Sequence, residues 1–209
     1  MFITNFSPTS EQDRPGTAPS KPELRRQRRD VRRSREDTAA GADGDRLADV
    51  VESLAPVRAA STVAAFASRG DEPSTGPLLA RWRAAGRRVL LPVVRPDLDL
   101  DWAVDGGERR TSAVVDVPEP TGRLLGATAI AAAAVVLVPA LAVDRRGTRL
   151  GQGGGSYDRA LARTAPGTLV VAVLHPGELL DDPLPREPHD RPVHVVVTVD
   201  GVAWLSSPA

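Results

Sequence analysis

Short, mostly apolar runs alternate with amphipathic segments along the chain. The strongest runs are Ser61–Ala67, Arg88–Val94, Val135–Val138, Thr168–Leu174 and Val193–Val199. Runs of this length that are rich in β-branched residues predict strands buried on both faces. A weaker strand is predicted over Leu98–Val104.

The first amphipathic segment predicts a surface helix with a strongly basic character. Ser20 followed by Glu23 is a capping-box pattern, and the helical pattern then continues to about Asp37. Residues 21–37 contain eight basic and four acidic side chains, a balance of +4. Only Leu24 and Val31 are available to anchor the helix, so it should lie on the surface along one thin apolar seam.

Three further helices are predicted, at Asp45–Leu54, Thr75–Ala85 and Tyr157–Arg163. Pro56 should end the first and Gly86 the second. Residues 124–134 form an alanine-rich helix or loop, and Ala140–Ser156 reads as a long Gly/Arg loop. Strands that alternate with helices predict an α/β fold: a single layered domain with a mixed, largely parallel sheet flanked by helices, preceded by the Arg-rich helix.

The remaining segments predict a disordered tail, a single domain and no membrane-spanning helix. Residues 1–19 are polar and rich in Pro, Gly, Thr and Ser, which predicts a disordered tail before a domain over residues 20–209. The longest apolar stretch, Ala129–Val143, is interrupted by Pro139 and falls short of the ~18–20 residues of a spanning helix. We expect a cytoplasmic protein with no membrane partner.

The amino-acid composition limits the partners and metal ions that the protein could bind. The 27 basic and 27 acidic residues give a net charge of +0, so overall charge offers no argument for a nucleic-acid partner. The chain has no cysteine and only three histidines, so a bound metal would need oxygen ligands, which favours Mg²⁺ over Zn²⁺. Lys21 is the only lysine, and no neighbouring lysine can replace it.

The strongest local motif lies between a predicted strand and a predicted helix. Four of the five residues 151–155 are glycine, so the backbone N–H groups can wrap closely around an anion at the start of a helix. Arg149 can add a full positive charge, and Asp158 can hold Mg²⁺. The motif lacks the Lys-Ser/Thr pair of a Walker loop, and it does not follow the first strand as a dinucleotide fingerprint would. It predicts a phosphate cradle with a metal ligand.

This motif resembles the signature of the 5-formyltetrahydrofolate cyclo-ligase family, also called methenyltetrahydrofolate synthetases. Residues 139–161, PALAVDRRGTRLGQGGGSYDRAL, follow that signature nearly position by position. Other stretches that resemble the family are Lys21–Arg25, Asp71–Thr75, Pro118–Pro120, Pro188–Asp190 and Val197–Thr198. The likeness covers roughly residues 20–200.

The resemblance implies an ATP-dependent and Mg²⁺-dependent ring closure of 5-formyltetrahydrofolate to 5,10-methenyltetrahydrofolate, with release of ADP and phosphate. It implies a catalytic role for Lys21 and Arg149 and a metal-ligand role for Asp158. It implies folate contacts for Ala67, Glu72 and Tyr157. The ATP-binding residues that it implies are Lys21, Pro22, Glu23, Leu24, Arg25, Arg149, Leu150, Gly151, Gln152, Gly153, Gly154, Gly155, Ser156 and Tyr157.

Three positions depart from the family pattern. Ser156 replaces a tyrosine that could stack on the folate, and Gln152 stands where arginine is common. His194 stands where many members carry aspartate, which would remove an acidic contribution to the metal site. Each loss would weaken binding by about 1–3 kcal/mol if the contact is buried.

Two other hypotheses about the function stay open. A non-catalytic relative could bind RNA or a protein partner through the Arg-rich helix, although that helix has no interleaved aromatic residues to stack on bases. Another small ATP-dependent ligase or kinase could use the same cradle with a different acceptor. We expect a monomer that acts on small molecules and binds no nucleic acid.

Overall fold

The computed structural model describes residues 19–34 and 40–205, which form five α-helices, one 3₁₀ helix and twelve strands. The α-helices are α1 Lys21–Arg33, α2 Ala40–Ser53, α3 Ala55–Ala59, α4 Gly76–Ala84 and α5 Ser156–Leu161. The 3₁₀ helix is Ala127–Ala132. The strands are β1 Thr62–Ala64, β2 Arg88–Val94, β3 Leu100–Val104, β4 Arg109–Thr111, β5 Pro118–Pro120, β6 Val135–Pro139, β7 Ala142–Asp144, β8 Arg149–Leu150, β9 Leu169–Val173, β10 Leu179–Leu180, β11 Val195–Thr198 and β12 Gly201–Trp204.

Seven strands form one sheet in the order β12-β11-β9-β6-β1-β2-β3. The five central strands run parallel, and the edge strands β12 and β3 pair antiparallel with their neighbours. This confirms the predicted α/β fold with a mixed, largely parallel sheet.

Both faces of the sheet are buried, which explains the uninterrupted apolar runs. Along β6, Val135 and Leu137 pack beneath α2, α3 and α4, while Val136 and Val138 pack towards α5 and the 3₁₀ helix. Successive side chains of a strand point to opposite faces, so each run supplies two cores. Each fully buried side chain of this kind contributes about 1.5–3 kcal/mol.

The predicted Gly/Arg loop 140–156 is wrong in part, because it contains β7 and β8. These strands and β10 form a second sheet in the order β10-β7-β8. Buried Asp144 holds the turn between β7 and β8, since its Oδ1 accepts the N–H groups of Arg146 and Thr148 and its Oδ2 accepts that of Leu184. Gly147 adopts a φ of +80°, and a side chain there would collide with the Val193 carbonyl. These signature residues therefore build the turn.

Other element boundaries also differ from the predictions. Pro56 does not simply end a helix: α2 stops at Ser53, and Pro56 lies in the first turn of α3, where its missing N–H is tolerated. The strand predicted over Ser61–Ala67 is confined to β1. The hairpin-like pair β4–β5 and the edge strand β12 were not predicted.

Helix α1 forms as predicted, with Ser20 and Glu23 in a capping box, but its anchor differs. Val31, expected in the apolar seam, is 50% exposed. Leu24 is buried with a small apolar cluster beneath the helix, and Arg32 is the other buried residue of α1. Its predicted continuation through residues 35–37, and all of the predicted tail 1–19 except residue 19, lie outside the described residues.

Among the described residues, no helix is long and apolar enough to cross a membrane.

Candidate functional site

A cavity of about 630 Å³ lies at the carboxyl ends of the central parallel strands. Pro139 ends β6, Val94 ends β2, and Phe66 and Ala67 follow β1; all four line the cavity. The loops beyond the carboxyl ends of parallel strands are where open α/β sheets bind ligands. The size is that of a pocket for a small-molecule ligand.

Most of the predicted site residues converge on this cavity. Those that line it are Lys21, Pro22, Arg25, Ala67, Glu72, Arg149, Gly151, Gln152, Gly153, Gly154, Gly155, Ser156, Tyr157 and Asp158. Three predicted residues do not line it. Glu23 caps α1, while Leu24 and Leu150 are buried together below the helix.

The ammonium group of Lys21 lies between two carboxylates. Its Nζ is 2.7 Å from Asp190 Oδ2 and 3.2 Å from Glu187 Oε1, and the side chain is only 12% exposed. Burial alone would raise the pKa of Asp190, but the hydrogen bonds from Lys21 and the Glu187 N–H bring that pKa below its usual value. Asp190 and Glu187 line the cavity, although sequence reasoning gave them no role.

Two arginines one turn apart on helix α1 form hydrogen bonds with the glycine-rich loop. Arg25 Nε donates to the Gly151 carbonyl at 2.9 Å. Arg29 donates to the Gln152 side chain at 3.0 Å and to its carbonyl at 3.2 Å. Arg29 does not line the cavity, so it holds Gln152 from outside and does not replace the positive charge that the departure at Gln152 removes.

Arg149 links the loop to the start of α5. Its Nη2 donates to Asp158 Oδ1 at 2.8 Å, and its guanidinium lies 5.6 Å from the centre of the Tyr157 ring. The side chain is 4% exposed, and its Nε is buried with no hydrogen-bond partner among the described residues. An unpaired buried donor carries a desolvation penalty that an anionic ligand would relieve.

Another part of the lining combines apolar surface with a carboxylate. Phe66 and Ala67 stand beside Glu72, whose Oε2 accepts the Arg69 N–H at 3.1 Å. Burial raises the pKa of Glu72 above its usual value. Burial, together with the nearby Glu72 charge, raises the pKa of Tyr157 far above that of a free phenol, so this hydroxyl stays protonated.

Leu98 forms an unexpected part of the cavity lining. It is the one non-glycine residue with a left-handed backbone within the described ranges, at φ +61°. Its side chain lies within contact distance of the position that a side chain on Gly154 would occupy. Strained backbone of this kind concentrates at functional sites.

His194 lies away from the cavity. Its Nδ1 accepts the Val170 N–H at 3.0 Å beside the amino end of β11, and burial lowers its pKa. The expectation that an acidic side chain at this position would serve the metal site is not supported by the placement. Within residues 19–34 and 40–205, no group of three or more acidic, histidine or cysteine residues could hold a metal alone.

Fold and cavity together define an α/β protein with a glycine-rich loop lining a cavity at the carboxyl ends of parallel strands. The profile of the 5-formyltetrahydrofolate cyclo-ligase family matches residues 17–199. The chain belongs to this family.

Individual relatives agree with that assignment. A 5-formyltetrahydrofolate cyclo-ligase of Mycolicibacterium smegmatis is 43% identical over 150 residues, covering 69% of this chain and 77% of the relative. One from Escherichia coli is 32% identical over 163 residues, covering 74% and 87%.

Solved structures agree with the fold. The 5,10-methenyltetrahydrofolate synthetase of Aquifex aeolicus superposes with a TM-score of 0.75 at 25% identity, covering 90% of this chain and 94% of that one. The Mycoplasma pneumoniae synthetase, at 16% identity and a TM-score of 0.67, covers 86% and 98% and supports the fold alone. The predicted family and ligase class are confirmed.

Proposed function

We propose that this protein uses ATP to close the ring of 5-formyltetrahydrofolate, giving 5,10-methenyltetrahydrofolate, ADP and phosphate. One observation carries the proposal: Lys21, Arg149 and the glycine-rich loop converge on a cavity that also contains Glu72. A single cavity lined by cations, bare backbone and the carboxylate of Glu72 suits a polyanion and a reduced pterin together.

The cationic part would hold the triphosphate. Residues 151–155 offer backbone N–H groups with few side chains in the way, and Lys21 and Arg149 add charge. The buried Nε of Arg149, which has no hydrogen-bond partner in the described part of the chain, favours an anion at this position. Lys21 has three donor hydrogens, so it can contact a phosphate while keeping Asp190.

The other part would hold the folate. Glu72 would accept hydrogen bonds from the N–H edge of the pterin, while Phe66 and Ala67 would supply apolar surface; all three line the cavity. The neutral Tyr157 hydroxyl can donate to a substrate oxygen. Ser156 lines the cavity without an aromatic face, so stacking at that position is lost.

The reaction needs alignment and charge stabilisation more than covalent chemistry. The formyl oxygen attacks the γ-phosphorus and displaces ADP, forming a phosphorylated imidate. N10 then attacks the former formyl carbon, phosphate leaves, and N10 loses its proton. Lys21 and Arg149 would stabilise charge on the transferring phosphoryl oxygens, and the cavity walls would hold the two substrates in line.

The acidic residues fit a bound Mg²⁺ that is shared with the nucleotide. Asp158 and Asp190 both line the cavity, and the N–H of Arg191, next to Asp190, donates to Asp158 Oδ1 at 3.2 Å. Mg²⁺ is commonly held by one or two carboxylates together with substrate phosphates and water. Asp158 and Asp190 would hold the ion, which would neutralise phosphate charge when bound.

The Arg-rich helix gives little support to an RNA-binding alternative. Arg25, Arg29 and Arg32 all donate to groups within the same chain. These three guanidinium groups are therefore not free to track an external phosphate backbone. We favour a small-molecule enzyme over an RNA-binding protein, and we propose that it acts as a monomer in the cytoplasm.

The test mixes purified protein with ATP, Mg²⁺ and 5-formyltetrahydrofolate and follows the absorbance of the methenyl product. We expect equal amounts of methenyl product, ADP and phosphate. With 5-methyltetrahydrofolate, which lacks the formyl oxygen, no ADP should form. ADP release with unrelated acceptors, or salt-sensitive RNA binding without turnover, would favour the alternatives.

A further inference from the structure

A buried ion pair lies at the opposite end of α1 from Lys21. Arg32 Nε and Nη2 donate to the two carboxylate oxygens of Glu178, each at 2.7 Å, and the side chains are 1% and 4% exposed. Arg32 also donates to the Ala140 carbonyl, and Glu178 accepts the His175 N–H at 2.9 Å. Every contact is therefore made within the protein.

Stability alone does not account for this pair. Burying two charges costs much of what their attraction returns, and apolar replacements of such pairs are often neutral or stabilising. Leu24 is the one buried apolar residue of α1 and Val31 faces solvent, so polar contacts fix the orientation of the helix, and the ion pair of Arg32 is more deeply buried than that of Lys21. A two-pronged guanidinium–carboxylate contact specifies direction in a way that a single apolar contact does not.

Each residue of the ion pair is connected to an element that carries residues of the cavity lining. Arg32 follows Lys21 by eleven residues, which is close to three full turns, so the two side chains leave the same side of α1. Glu178 precedes β10, which pairs with β7 in the small sheet that carries Arg149 on β8. Ala140 itself lines the cavity. Arg32 thus ties α1 to the sheet that presents the glycine-rich loop.

We propose that Arg32 is a positioning residue for nucleotide binding: its contact with Glu178 fixes the rotation of α1 and thereby places Lys21 and Arg25 at the phosphate end of the cavity. The proposal rests on the proposed function, because it assumes that a nucleotide occupies this cavity. Arg32 does not line the cavity, so its effect is exerted through α1.

The experiment compares three variants with the wild type. The double variant Arg32→Leu/Glu178→Leu removes both charges together, so neither is left buried and unpaired. Arg32→Lys keeps the charge but cannot make both hydrogen bonds. Arg33→Leu is the matched control, since Arg33 is exposed and its described partner is Asp30 of the same helix. Calorimetric affinity for a non-hydrolysable ATP analogue, KM for both substrates and melting temperature are measured.

We expect the double variant to fold, to bind the nucleotide about tenfold more weakly and to raise KM for ATP by a similar factor. KM for 5-formyltetrahydrofolate should change less than twofold, Arg32→Lys should fall between the double variant and the wild type, and Arg33→Leu should match the wild type. Nucleotide affinity within twofold of wild type in the folded double variant would overturn the proposal.

The remaining outcomes are also decisive. If the double variant does not fold, unchanged nucleotide affinity in folded Arg32→Lys overturns the proposal, and weakened affinity supports it. A wild type that binds nucleotide without closing the ring would refute the proposed function, while the affinity comparison would still decide the role of Arg32. A wild type that binds no nucleotide would refute both.

Discussion

Lys21 and Asp190 are 169 positions apart in the chain, yet their side chains meet at 2.7 Å in the lining of one cavity. The pair joins α1 to the segment that precedes β11. The only lysine of the protein is thereby held, nearly buried, at the point where the glycine-rich loop also arrives. The N-terminal helix is part of the site.

Replacing Lys21 tests whether this placement serves the nucleotide. Lys21→Ala should raise KM for ATP about 10- to 100-fold, the loss of one charge-assisted contact, and leave KM for 5-formyltetrahydrofolate nearly unchanged. Steady-state kinetics with each substrate varied in turn measures both constants. Arg26→Ala, on the exposed side of the same helix, is the control. An unchanged ATP constant would place the phosphates elsewhere.

Glu72 should affect the other substrate. Glu72→Gln keeps the shape of the side chain but removes the charge that would accept the pterin N–H groups. We expect KM for the folate to rise about 10- to 100-fold, with KM for ATP changed less than threefold. The reverse pattern would assign Glu72 to the nucleotide.

The raised pKa of Glu72 gives a second, pH-dependent test. If the carboxylate must be charged, folate affinity should fall as the pH drops through a value above the ordinary 4.5 of glutamate. The pKa of Glu72 is higher in the folded protein than in the unfolded chain. Charging the carboxylate therefore destabilises the fold as the pH rises from the unfolded-state pKa to the folded-state pKa. Glu72→Gln should therefore bind folate without this pH step and unfold at a higher temperature near neutral pH.

A side chain can be added to the glycine-rich loop at Gly154 without straining the backbone. The φ of Gly154 lies outside the left-handed region, and among the described residues an added Cβ would meet only the side chains of Ser156 at 3.3 Å and Leu98 at 3.7 Å. Gly154→Ala and Gly154→Val should weaken ATP binding progressively, by about tenfold or more for valine, with a melting temperature within about 3 °C of wild type.

Gly106 provides a matched control for the cradle. A Cβ there would meet no atom of residues 19–34 or 40–205 within 4 Å, and the residue does not line the cavity. Gly106→Ala should leave nucleotide binding unchanged. Equal ATP affinity in the Gly154 and Gly106 variants would show that the bare loop backbone does not contact the nucleotide.

Asp99 is expected to control acid stability. Arg163 donates to both of its oxygens, at 2.9 and 2.7 Å, and this contact lowers the pKa of Asp99 below its usual value. A carboxyl with a lowered folded-state pKa stabilises the fold above its unfolded pKa, and that contribution is lost as the pH falls through the folded value. Asp99→Asn should cost about 1–2 kcal/mol at neutral pH.

The Asp99 difference should shrink towards zero in acid. Urea unfolding of wild type and Asp99→Asn from neutral pH to below pH 3.8, the ordinary value for aspartate, measures it. A difference that stays constant across that range would show that the pair contributes through packing and not through charge.

The seven-stranded sheet could be predicted from sequence because its long strands show as local runs of apolar residues. Strands such as β6 and β9 are uninterrupted apolar runs, and the parallel arrangement follows from their alternation with helices. Strands β7, β8 and β10 have two or three residues each, too few for any periodicity to register. The pairing of β7 with β10 joins positions that are 36 apart in the sequence, such as Val143 and Leu179.

Sequence motifs predicted which residues belong to the site better than how they are held. Lys21, Glu72 and the loop around Gly154 were selected from motifs, and the structure brings them to one cavity. The roles of Arg29 and Arg32 were not predictable, because a row of arginines on a helix gives no indication of which will find a buried partner. Val31, predicted as an apolar anchor, is exposed because the helix is docked mainly by polar contacts.

The most direct test of the account is a crystal structure with a non-hydrolysable ATP analogue and Mg²⁺. We predict that the phosphates lie against residues 151–155, within hydrogen-bonding distance of Lys21 and Arg149, with the metal ion beside Asp158. A nucleotide bound elsewhere, with the glycine-rich loop making no phosphate contact, would contradict the account.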